Sequence, residues 1–166
     1  MKKIILISVS FLVAGLVHSQ NPLSVGKAQL NFGVGLSGWG VPVYFGLDYG
    51  VSRDITVGGE LSFRSYNEKW RSNRYRHGIT GISANANFHF NRVLELPSKW
   101  DLYIGPNLGY YVWSSPNNYD GDNNSGIDLG AQIGTRYYLN NKVGLNLEFG
   151  GGNAFSGGKF GLTIQL

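Results

Sequence analysis

Gly158-Lys159-Phe160-Gly161-Leu162-Thr163-Ile164-Gln165-Leu166 reads as an extended strand with two chemically different faces. Phe160, Leu162, Ile164 and Leu166 fall on one side and Gly161, Thr163 and Gln165 on the other, a strict period of two. No residue after Leu166 covers the apolar side, and a bare stripe of aromatic and aliphatic groups suits lipid tails far better than water. The expectation is a closing strand that pairs with the first, so that no sheet edge stays open.

The same pattern repeats upstream. The uncharged stretch 28–47 is long enough for a membrane helix, but it holds Gly33, Gly35, Gly38, Gly40, Gly46 and Pro42. Each interior Gly costs a helix about 1 kcal/mol relative to Ala and Pro about 3 kcal/mol, so the helix fails on the sum. Alternation succeeds, with Ala28, Leu30, Phe32, Val34 and Leu36 facing one way and Gln29, Asn31, Gly33 and Gly35 the other. Strands are expected near 27–37, 41–50, 55–66, 78–90, 100–113, 127–139 and 143–150, with the closing strand as the eighth. The fourth alternates most cleanly: Ile82, Ala84, Ala86, Phe88 and Phe90 oppose Ser83, Asn85, Asn87 and His89. Pro106 lacks a ladder donor, so a bulge or local break is expected in the fifth. The connections 67–76 and 114–126 are polar and read as long exposed loops, while 51–54 and 140–142 read as turns.

Lys2 and Lys3 precede the apolar run Ile4 to Val17, and Val17-His18-Ser19 supplies a cleavage site before Gln20. Residues 1–19 are therefore expected to be a signal peptide and 20–166 a single domain. Removing two lysines takes the basic count from 14 to 12 against 10 acids, so the exported chain carries about +2. The chain has no Cys, which excludes a lipoprotein anchor and a disulfide framework. Its 25 Gly, 10 Tyr, 9 Phe and 4 Trp form a β composition in which long helices are not expected.

The eightfold alternation, the even strand number and the closing strand together resemble the small OmpA/OmpX-type outer-membrane β-barrel proteins. Leu166 stands where that family usually ends in an aromatic residue. The resemblance implies an all-β, eight-stranded antiparallel up-and-down transmembrane β-barrel in the outer membrane, with short periplasmic turns and longer extracellular loops. Tyr49, Trp100, Tyr110 and Tyr137 sit at strand ends on the apolar face, where such barrels carry aromatic girdles. A soluble lipocalin-like carrier would alternate as well, with its apolar face turned inward around a ligand.

Charges gather on the opposite face, at Asp48, Glu60, Arg64, Asp101, Asp128, Arg136 and Glu148. In a lumen only wide enough for side chains these must pair or hold water. Glu60, Arg64, Arg136 and Glu148 are expected to form a salt-bridged plug with Tyr44, Tyr66 and Tyr103 beside it; the alternative is a small porin or narrow ion path. The 67–77 loop carries Lys69, Arg71, Arg74 and Arg76 with Trp70 and Tyr75, a set suited to anionic lipopolysaccharide or glycan. A protein partner could use the same loops, whereas nucleic acid is not a sensible partner for an exported barrel, and a monomer is expected. Residues 119–126 repeat oxygen donors but lack the spacing and closing Glu of a calcium loop, so no metal and no cofactor is expected. A lipid A-modifying enzyme would need a Ser and a His near the outer surface; only His77 beside Ser65 or Ser72 offers that, without a nucleophile motif, so no catalysis is expected.

Overall fold

The computed structural model describes residues 23–70, 73–117, 119, 121, 125–152 and 156–166, with the side chain of Trp70 excepted. The signal-peptide expectation, Arg71 and Ser72 lie outside the described residues. Eight strands follow one another: β1 (Ala28–Ser37), β2 (Val43–Ser52), β3 (Ile55–Trp70), β4 (Asn73–His89), β5 (Trp100–Ser114), β6 (Gly126–Tyr138), β7 (Val143–Gly151) and β8 (Gly157–Gln165). Each pairs antiparallel with its neighbours, and β8 pairs with β1, closing the barrel. The closing register sets Val34 opposite Phe160, Phe32 opposite Leu162 and Leu30 opposite Ile164, all on the outer wall. The Leu166 amide donates to the Ala28 carbonyl at 2.9 Å, so pairing continues to the last residue.

The barrel is inside out relative to a soluble protein. The outer wall exposes Val43, Phe45, Leu47, Phe63, Ile82, Leu108, Leu129, Phe149 and Phe160 among many others. The buried set is dominated by Gln29, Asn31, Asp48, Asn87, His89, Asp101, Asn107, Asp128, Gln132, Arg136, Asn146, Glu148 and Thr163. Among the described residues, three of the five buried hydrophobic ones are tyrosines. Water would make this arrangement untenable, because it leaves the apolar area wet and encloses charges; lipid outside and a polar lumen inside reverse both costs. A lipocalin-like greasy lumen is thereby overturned.

Strand lengths are unequal in a way the sequence did not announce. Ten residues of β1, at about 3.3 Å each and tilted about 40°, rise about 25 Å, which matches the apolar band. The 16 and 17 residues of β3 and β4 rise about 40 Å on the same reckoning and stand well clear of it. The expected loop at 67–76 is therefore mostly paired hairpin: Asn67 faces Arg76, Glu68 faces Tyr75 and Lys69 faces Arg74 in unbroken register. The polar composition there reflects two faces that both leave the membrane, so the apolar half of the alternation that marks the other strands is missing.

Pro106 breaks the ladder on one side only. Toward β6 it pairs with Ala131 in continuous register, while toward β4 the pairing lapses between Asn85↔Asn107 and Phe88↔Ile104 and resumes unshifted. There is no bulge. The missing amide simply faces β4, and Gly105 beside it lets the strands close up, since a Cβ there would collide with the Ala86 carbonyl oxygen.

A filled lumen and an aromatic mouth as the candidate functional site

From the base, where the chain termini of the barrel lie, a chain of polar contacts climbs the lumen. Thr56 Oγ1 lies 2.9 Å from His89 Nε2, and His89 Nδ1 lies 2.6 Å from Asp101 Oδ1. Arg136 Nη1 donates to Asp101 at 3.1 Å and its Nη2 to Asp48 at 2.6 Å, with the guanidinium 4.3 Å above the Tyr103 ring. Asp48 also accepts from Asn31 at 2.9 Å, and Asn31 accepts from Thr163 at 2.8 Å. Higher up, the Tyr103 hydroxyl donates to Glu148 at 2.8 Å, and Lys159 joins Glu148 at 2.6 Å to Glu60 at 2.8 Å. Gln132 donates to Asn87 at 2.8 Å and accepts from Asn107 at 3.2 Å. Two internal voids of about 10 Å³ each lie among these groups, each room for about one water.

Of the four lumen residues singled out in the sequence, Glu60 and Glu148 come together, but through Lys159. Arg136 works with Asp48 and Asp101, two residues whose inward face was recognised but whose partnership was not. Arg64 sits higher, at the mouth, where its Nη1 donates to Ser37 Oγ at 3.0 Å, with the Asp128 and Glu60 carboxylates as neighbouring charges. The sequence did carry the signal for Lys159, because an odd-numbered position in β8 points inward with Gly161 and Thr163.

At the mouth the period of two continues above the membrane and sorts a different chemistry. Inward-facing rings form a chain. Trp39 lies 5.7 Å from Tyr111 and 5.3 Å from Trp113; Trp113 lies 6.1 Å from Tyr66 and 5.7 Å from His77. His77 lies 4.7 Å from Tyr119, which lies 5.0 Å from Tyr75. Outward on the same hairpin are Asn67, Lys69, Arg74 and Arg76, all exposed, with Arg76 Nε donating to Ser65 Oγ at 2.7 Å. Tyr75, grouped with the basic residues in the sequence, belongs instead to the inner ring chain and is half-buried.

Of the two serines an enzyme could have set beside His77, Ser72 lies outside the described residues and Ser65 is not a partner. Ser65 faces out, and His77 is fully buried facing in, with Nδ1 3.0 Å from Ser115 Oγ and Nε2 3.6 Å from Glu68 Oε2. Glu68 accepts from the Tyr119 hydroxyl at 3.0 Å. A serine, an imidazole and a carboxylate thus meet, but the imidazole is packed edge-to-face against Trp113 and Tyr119, and 3.6 Å exceeds a hydrogen bond. Within the trio the imidazole is enclosed, while Ser115 and Glu68 are half-buried at the mouth.

An apolar lipid-facing wall, a polar lumen and closed antiparallel pairing define an eight-stranded transmembrane β-barrel. No family model and no curated protein matches the sequence. Solved structures similar to it include the outer membrane protein OprG from Pseudomonas aeruginosa, at 10% identity and TM-score 0.65 over 87% of this chain and 97% of that one. Neisserial surface protein A aligns at 16% identity and TM-score 0.56 over 84% and 94%. Ail of Yersinia pestis in a phospholipid bilayer nanodisc aligns at 12% identity and TM-score 0.56 over 85% and 99%. These solved structures are all small outer-membrane barrels, and the likeness is one of fold.

Proposed function

We propose that this chain is an outer-membrane protein of structural and surface-interaction type, with a plugged lumen and no catalytic activity, whose β3–β4 hairpin grips the anionic headgroups of the outer leaflet. The similarity to outer-membrane barrels and the apolar wall support the location. The hairpin then points outward from the cell, and the short turns after β2 and β6 face the periplasm. The observation that carries the reading is the direct cross-strand pairing of Lys69 with Arg74 on the outward face, one step above Arg76. Like charges opposite one another destabilise a hairpin, so their placement calls for an external anion.

The height fits as well. Phe63 and Leu61 lie on the same outer face below, and four residues from Phe63 to Asn67, the partner of Arg76, rise about 10 Å at the usual spacing and tilt. That sets the cations above the apolar band, at the level of lipopolysaccharide phosphates. Near an anionic surface each Lys or Arg contributes about 1 kcal/mol, so three give about 3 kcal/mol, a factor of over 100 in affinity at low salt. The triple variant Lys69→Gln, Arg74→Gln, Arg76→Gln should fold normally and lose most of its salt-sensitive co-sedimentation with lipopolysaccharide. Unchanged binding at low ionic strength would remove the hairpin from consideration.

A further inference from the structure

A cleft of about 460 Å³ opens at the mouth on the side away from the basic hairpin, between the β1–β2 turn, β3, β5 and the ends of β7 and β8. One wall is aromatic: Trp39 and Tyr111, both half-buried, with ring planes inclined at 53°. The opposite side is polar. Arg64 lies 6% exposed with Nη1 on Ser37 Oγ at 3.0 Å, and Ser156 lies at the rim. Asp128 lies directly behind Gly152, since a Cβ there would come within 2.9 Å of both its carboxylate oxygens.

The turn that presents Trp39 is built to hold it still. Ser37 Oγ accepts from the Trp39 amide at 3.3 Å and donates to the Gly40 carbonyl at 3.1 Å. Gly40 adopts φ +96°, and a Cβ there would sit 2.7 Å from the Ser65 carbonyl oxygen, so only glycine lets the turn lie this close against β3. Trp113 then backs Trp39 edge-on at 5.3 Å. A tryptophan held by Ser37, Tyr111 and Trp113 at the rim is an anchor rather than a loose surface side chain.

We infer that this cleft binds one or two units of a neutral hexopyranose, a sugar of a surface polysaccharide or glycolipid. The two ring faces meet the C–H faces of a pyranose. At 5.7 Å the two rings pack on one another, so they form one stepped wall for a pyranose to lie against and leave no slot that would sandwich a flat heteroaromatic ring. Arg64, Ser37 and Ser156 bring donors and acceptors to the cleft, and the Asp128 carboxylate behind Gly152 offsets the Arg64 charge, as binding of neutral vicinal hydroxyl groups requires. An acyl chain would leave that polar side unpaired, and an inorganic anion would leave the rings unused. The volume lies within the usual range for small-molecule sites. This inference does not depend on the hairpin reading, because none of Lys69, Arg74 and Arg76 lines the cleft.

The test uses the protein refolded in lauryldimethylamine oxide micelles, which carry no sugar headgroup, with methyl α-D-mannopyranoside, maltose, lactose and glucuronate as probes. Saturation-transfer NMR should give saturable, millimolar binding of at least one neutral probe, and Trp39→Ala should weaken it at least about tenfold, the size of one aromatic contact. Tyr111→Leu is the second variant, and heat-modifiable gel mobility reports that each is folded. Trp100→Phe at the base and the hairpin triple variant should both bind like the parent. The inference is overturned if no neutral probe saturates, if only glucuronate binds, or if both folded cleft variants bind as the parent does.

Discussion

Arg136→Met tests whether the lumen is held by paired charge. Arg136 is 2% exposed and bridges Asp48 and Asp101 at 2.6 and 3.1 Å while covering the Tyr103 ring at 4.3 Å. Methionine fills much of the space but leaves two buried carboxylates facing one another without a cation. Breaking a buried pair costs about 3–5 kcal/mol, and a desolvated cation–π contact adds about 1–2 kcal/mol, so the variant should lose roughly 4–7 kcal/mol. The triple variant Arg136→Met, Asp48→Asn, Asp101→Asn removes the stranded charges together and should recover about 3 kcal/mol of that loss, because a buried charge left alone is worse than no charge. Urea unfolding from phospholipid vesicles, followed by tryptophan emission and by loss of heat-modifiable mobility, measures both. A single-variant loss below about 1 kcal/mol would refute the network as a source of stability. A triple variant no better than the single would refute the stranded-carboxylate argument.

In planar bilayers the protein should give no steady large conductance, since the lumen voids hold about one water each; stable nanosiemens-scale channels would overturn the plugged lumen. At the β2–β3 turn, Arg92 holds Asp54 through Nε at 3.1 Å and Nη2 at 2.5 Å, which lowers the carboxyl below its ordinary value. A lowered native pKa adds stability that is present above the unfolded value of about 3.9 and is lost as pH falls through the native one. The stability difference between parent and Asp54→Asn should therefore be flat at neutral pH, shrink on acidification below the ordinary carboxylate range, and be reduced by salt because Arg92 is exposed. A difference that grew on acidification would reverse the sign and sink the assignment.

The strands were legible because two solvents enforce them. Lipid outside and a hydrated, charged lumen inside make every second residue answer to a different medium, so Phe160, Leu162 and Ile164 could be told from Gly161 and Thr163 without coordinates. Which inward residues meet was less legible. Pairings such as Arg136 with Asp48 cross the lumen between β6 and β2, and only barrel closure and shear bring them level. Lys159 escaped notice because it precedes the apolar stripe that drew attention to β8. The charges around His77 and Tyr75 suggest a solvated loop, yet Tyr66, Glu68, Tyr75 and His77 lie on one side of a continuing alternation.

That continuation explains why the lumen and the mouth differ in kind. Within the membrane the alternation separates apolar from polar groups, and the inward set is consumed by its own pairing. Above the membrane there is no lipid to demand an apolar outer face, so the same backbone can turn cations outward at Lys69, Arg74 and Arg76 and rings inward at Tyr66, Tyr75 and His77. Rings packed against rings cap the polar column below without needing salt bridges, and they leave Trp39 and Tyr111 half-covered at the edge of the stack, where an outside ligand can finish covering them. The extra length of β3 and β4 therefore carries two surfaces at once: a cationic one outside at Lys69, Arg74 and Arg76, and an aromatic one inside at Tyr66, Tyr75 and His77. A register slip of one residue in this hairpin would exchange the two, turning cations inward and aromatics outward, so the basic outer face rests on the pairing of Lys69 with Arg74, whereas the cleft at Trp39 and Tyr111 lies off the hairpin.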